Sequence, residues 1–141
     1  MFDMDRNQSR QLFFSVWQKI CDHTPLAPME HLISEVIQLH PEYHAMLDNA
    51  DSYQDKDYLP ELGQTNPFLH MGLHIAIREQ LSINQPPGIV SHYQRLMQSH
   101  SDNHAVEHMI MECLAQTLWH AQRNQSVPDN QSYLACLTSM K

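Results

Sequence analysis

The sequence predicts an all-α fold, a compact helical bundle of about six to seven helices in a single domain. Three observations lead there. Apolar residues recur at the spacing of 3.6 residues per turn in nearly every segment. No run alternates apolar and polar residues long enough to make a convincing strand. Breaks rich in Pro, Asn and Asp separate the periodic segments at intervals suited to helices.

The elements follow in order. Phe13, Val16, Trp17 and Ile20 fall at i, i+3, i+4 and i+7, which predicts a first helix over residues 7–23. "TPLAP" ends it, and Leu32, Ile33, Val36 and Ile37 mark a second helix from about residue 29. Pro41 ends or kinks that helix, because its ring clashes with the carbonyl four residues back. "HPEYHAMLDN" can continue as a short helix with Pro41 in its first turn. Residues 48–65, "DNADSYQDKDYLPELGQT", carry Asp and Tyr but no period and are expected to be a long irregular connection. Asn66 then stands as an N-cap with Pro67 at the first helical position, and the helix should reach about residue 82. "NQPPG" is a firm break. Ile89, Tyr93, Leu96 and Met97 predict an amphipathic helix to about residue 99. Ser101 or Asp102 caps the longest helix, to about residue 124, and Asp129 caps a last short one bearing Tyr133, Leu134 and Leu137.

Composition narrows the function. At 141 residues the chain is long enough to bury a real core. Its three glycines, Gly63, Gly72 and Gly88, are too scattered for a phosphate loop or a dinucleotide fingerprint, so no nucleotide cofactor is expected. The net charge of −8 comes without any Lys/Arg cluster, which argues against nucleic acid and anionic membrane as partners and leaves a protein partner or a homo-oligomer open. The longest stretch without Asp, Glu, Lys or Arg, residues 62–77, contains Pro67 and two histidines and is too short and polar to span a bilayer. Cys21, Cys113 and Cys136 are odd in number and far apart, which reads as reduced thiols. The opening "MFDMDRNQSR" is acidic and unlike a secretory signal. A cytoplasmic location is the expectation.

The chemistry sits with the eleven histidines. His70 and His74 lie one helical turn apart on a stripe shared with Leu73, Ile77 and Leu81, so both are expected to face the core. On the longest helix, Val106, Met109, Ile110, Cys113, Leu114 and Thr117 form an apolar face. The other side carries His104, His108 and Glu112, but also Met111, Ala115 and Trp119. A helix apolar nearly all round is expected to be buried, and His108 and Glu112 with it. Buried imidazoles and carboxylates need hydrogen bonds or a metal. If the two helices face each other, His70, His74, His108 and Glu112 can ligate one ion, with His44, or less readily His40, as a fifth ligand. A mixed N/O set of this kind suits a divalent transition metal such as Zn, Fe, Mn or Ni. Glu107 or Glu79 could accept from the outer imidazole N–H groups. The remaining histidines His23, His31, His92, His100 and His120 are read as structural or surface groups.

Other chemistries are poorly supported. There is no Gly-x-Ser-x-Gly elbow, no His-Glu-x-x-His and no paired Glu-x-x-His signature. Two readings compete with metal binding. One is a non-enzymatic interaction module that binds a protein through an acidic surface, with structural histidines. The other is a metal-independent enzyme that uses His and Glu as acid and base.

"HPEYH" (residues 40–44), "NPFLHMGLHIAIREQ" (66–80) and "EHMIMECL" (107–114), with the "PPG" break and the "AQRN" and "YLACL" ends, resemble a bacterial family known as domain of unknown function 1841. The resemblance covers nearly the whole chain. It implies a small bacterial helical protein and brings no activity, substrate or cofactor. A looser similarity is to hemerythrin-type oxygen-binding bundles, which hold iron with a His-x-x-x-Glu helix and a His-x-x-x-His helix. His108/Glu112 and His70/His74 match those pieces in reversed order, and the final His-x-x-x-x-Asp element is absent, so the likeness is one of ligand geometry.

Overall fold

A computed structural model of the chain describes residues 6–59 and 65–141. Among the described residues there are helices and turns and no strand. The helices are α1 (Arg6–Asp22), α2 (Pro28–Gln38), a 3-10 turn (Pro41–Tyr43), α3 (His44–Leu47), α4 (Ala50–Tyr53), α5 (Pro67–Ile83), α6 (Ile89–Ser99), α7 (Asn103–Arg123) and α8 (Asn130–Ser139). No helix among the described residues is long and apolar enough to cross a membrane. The chain divides into two compact units, Met1–Ile75 and Ala76–Lys141.

The first unit is built on the α1–α2 pair. Phe13, Phe14 and Val16 of α1 meet Ile33, Val36 and Ile37 of α2, Met46 and Leu47 of α3, and Phe68, Met71 and Ile75 of α5 in one core. Phe68 sits among rings, 5.6 Å from Phe14 and 6.0 Å from Phe13 between centroids. Burying each such side chain contributes roughly 1.5–3 kcal/mol. Entry to α2 is fixed by Glu30, which accepts from the Ala27 amide at 2.8 Å and binds Lys19 of α1 at 2.8 Å. The expected irregular stretch is more ordered than its composition suggested. It contains the short α4, and its described part is held to α1 by arginines. Arg6 donates to Asp57 and to the carbonyls of Asp55 and Lys56, while Arg10 donates to those of Tyr53, Gln54 and Lys56. Residues 60–64, the rest of that expected loop, lie outside the described residues.

In the second unit α6, α7 and α8 pack pairwise. The core holds Ile77, Ile89, Leu96, Val106, Ile110, Leu114, Tyr133 and Leu137. Gly88 enters α6 at φ +100°, a left-handed conformation that glycine alone adopts without strain. Asp102 and Asp129 cap α7 and α8, each accepting from the amide two residues on. Arg95 of α6 closes the far end of α8 by donating to the Leu137 and Met140 carbonyls.

Two expectations are overturned here. Cys113 and Cys136 are not a pair of free thiols but a disulfide joining α7 to α8, with Cα atoms 5.7 Å apart. A separation of 23 residues hides this, because only the packing of α8 on α7 brings the two Cβ atoms within bridging range. Cys21 is free and exposed. The second correction concerns α7, which is not buried all round: Glu112, Ala115, Gln116 and Trp119 are exposed.

Candidate metal centre

The centre begins at the end of α2. Leu39 closes that helix, and His40 leaves it at φ −125°, ψ 66°, outside the helical region that the following Pro41 disfavours. The chain's turn into Pro41 swings the His40 ring back over the helix it has just left. There Nδ1 donates to the Val36 carbonyl at 2.8 Å and satisfies one of the last carbonyls of α2. A carbonyl only accepts, so Nδ1 carries a proton, and in the neutral imidazole the lone pair is then on Nε2. His40 is 2% exposed.

His70 and His74 come from α5. Asn66 accepts from the amides of Phe68 and Leu69, and Pro67 opens the helix, so both histidines are set on one face one turn apart. His74 is fully buried and His70 half-buried. With His40 their rings make a nearly equilateral triangle: 5.0 Å from His40 to His70, 4.9 Å from His40 to His74 and 5.0 Å from His70 to His74. One ring nitrogen of His40 lies within 4.8 Å of one of His74. Tyr43 lies parallel to the His40 ring at 5.4 Å and edge-on to His70 at 6.3 Å, covering this side of the cluster. Burial, and then Glu42, push its phenol pKa up, so the cover stays neutral.

In the second unit, His104 and His108 stand in the first turns of α7, ring centroids 4.2 Å apart and both half-buried. One ring nitrogen of each lies within 4.8 Å of the other's. Asp102 positions them by capping the helix at the His104 amide.

Each expected ligand can now be placed. His70 and His74 stand beside His40. His44, the expected fifth ligand, instead packs at a tilt against Trp17, 4.4 Å between ring centroids, with Nε2 donating to the Ile37 carbonyl at 2.9 Å. His108 is paired with His104, which the sequence placed on the same face but not among the first ligands. Glu112 is exposed, contrary to the burial expected of it. Eight residues are 2.2 turns, so Glu112 has rotated about 80° from His104 around the helix and has come out of the protein. The buried carboxylate of α7 is Glu107, 4% exposed, which binds Arg78 of α5 at 2.9 Å. It was foreseen only as a hydrogen-bond acceptor for an imidazole. The missed signal was Arg78, the first cation of α5 after its apolar run.

Fold and site together define a small all-α protein with a partly buried histidine cluster. The family described as Domain of unknown function (DUF1841) matches residues 5–139, and the chain belongs to it. No curated protein and no solved structure is matched by the chain.

Proposed function

We propose that this protein binds transition-metal ions through paired histidine nitrogens, His40 with His74 in the first unit and His104 with His108 in the second. The observation that carries the reading is the two pairs of imidazoles, each with ring nitrogens within 4.8 Å, so that a modest side-chain movement brings both nitrogens of a pair onto one ion. The His40–Val36 bond adds to it, since a ligating histidine usually gives its other N–H to a carbonyl or carboxylate. His70 stands in contact with both first-unit ligands and would serve as a neighbour or a third donor to that pair. Glu112, exposed on α7, falls from the ligand set in this proposal. The donors are then all nitrogen, which suits zinc, nickel, copper or iron better than manganese. A bound ion with an open position would supply Lewis acidity or an activated water.

The test is elemental analysis of untagged protein as purified and after reloading with zinc. Stoichiometric zinc is expected, diminished in His40→Ala and in His108→Ala. No stoichiometric metal after reloading sinks the proposal.

A second reading, a non-enzymatic interaction module, is favoured by Trp119, which is 53% exposed with the Arg123 guanidinium 5.1 Å above its ring. A stoichiometric complex that survives His40→Ala and is lost in Trp119→Ala would support it.

A further inference from the structure

Away from the histidines, the first unit holds a cavity of about 420 Å³ between the start of α1, the start of α5 and the segment after α4. Phe13, Tyr58, Leu59, Phe68 and Leu69 give it apolar walls, and Arg10 supplies a cation. The volume falls in the range of small-molecule sites.

Arg10 is the unusual group. It is only 3% exposed, and arginine is seldom buried without a carboxylate beside it. Its hydrogen bonds here go to three backbone carbonyls, of Tyr53, Gln54 and Lys56, and all leave from Nη1. Nε and Nη2 make no hydrogen bond to the described residues. The guanidinium lies 4.7 Å from the centre of the Phe68 ring and 5.7 Å from that of Tyr58. Carbonyls and ring faces favour the cation but leave its full charge in place. The acid at the cavity mouth, Asp57, is held by Arg6. The α5 N-terminus is not the anion site, because Asn66 already accepts from its first amides.

We infer that this cavity binds a small amphipathic monocarboxylate, with its carboxylate on the Nε–Nη2 edge of Arg10 and its apolar body against Phe13, Tyr58, Phe68 and Leu69. The side-on edge of a guanidinium presents two parallel N–H donors that match the two oxygens of a carboxylate. The aromatic walls accept either a flat ring or a short acyl chain. This site is independent of the metal proposal and shares no residue with it.

The experiment uses the full chain and two probe pairs, octanoate with octanamide and 3-phenylpropanoate with 3-phenylpropanamide, titrated by calorimetry. At least one acid should bind saturably at one site and at least tenfold more tightly than its amide. Leu69→Glu, at a lining position already 51% exposed, sets a like charge at the mouth and should weaken the acid at least threefold with an unchanged melting temperature. Equal affinity for acid and amide would show an apolar hole without an anion anchor and overturn the inference. So would acid binding indifferent to Leu69→Glu, or no saturable binding of either acid at millimolar concentration.

Discussion

His40 Nδ1 donates to the Val36 carbonyl at 2.8 Å, and that one bond both caps α2 and sets the lone pair of the buried imidazole on Nε2. The ring therefore has a structural role and a ligand role that substitutions can separate. In His40→Asn the side-chain amide can still reach back toward a helix-end carbonyl but presents no imidazole nitrogen. Zinc affinity is expected to fall at least tenfold, with apo stability reduced by about 1 kcal/mol or less. In His40→Ala both roles go, and the orphaned carbonyl adds a cost of about 1–3 kcal/mol. Urea melts of the zinc-free proteins, beside competitive zinc titrations, separate the two effects.

Arg78 and Glu107 form the most buried ion pair described, with side chains 20% and 5% exposed. Removing one partner takes the counter-ion from a charge held largely out of water. Glu107→Ala is expected to cost about 3 kcal/mol or more. The double variant Arg78→Met/Glu107→Leu should recover much of that loss, because an apolar pair of similar volume need not be desolvated as ions. Chemical denaturation of the three variants checks the order. A double variant no more stable than Glu107→Ala alone would show that the pair's value lies in its geometry.

Tyr133 is 1% exposed and donates to Gln80 at 2.7 Å, and burial holds its phenol pKa far above the usual value near 10. The sign follows from proton counting. Above pH 10 the unfolded chain loses the phenolic proton while the folded one keeps it, so the folded state binds more protons and stability falls as pH rises. Below pH 10 the contribution is fully present. Urea midpoints at pH 8, 10 and 11 should therefore drop more steeply for the native chain than for Tyr133→Phe, which has no proton to lose.

The Cys113–Cys136 bridge closes a loop of 23 residues between α7 and α8. Reduction, or Cys136→Ser, is expected to lower stability by about 3 kcal/mol on loop-entropy grounds, chiefly by freeing the unfolded chain. Denaturation with and without reductant measures it. The same pair reports the compartment. Alkylation of intact cells before lysis should label it in a reducing cytoplasm and spare it in an oxidising space.

Much of the helical frame could be read from the chain. Asn66 and Pro67 announced the start of α5, and Asp102 and Asp129 the starts of α7 and α8, because a cap acts on amides two or three residues away. The long Asp/Tyr stretch was read less well. Its order depends on Arg6 and Arg10, some fifty residues earlier, and nothing local to the stretch carries that information. The same limit hid the burial of Arg10 and the pairing of Cys113 with Cys136.

What the sequence determined by itself was the all-α class, the helix starts, and the placing of His70 with His74 and His104 with His108 one turn apart. These are matters of short range, set by helical period and capping. The tertiary structure decided which groups those periodic faces meet. It brought His40 rather than His44 beside His70 and His74, buried Glu107 while leaving Glu112 in water, and closed a disulfide. A one-residue step turns a helical position by about 100°, so small offsets in packing choose between neighbours that the sequence pattern treats almost alike.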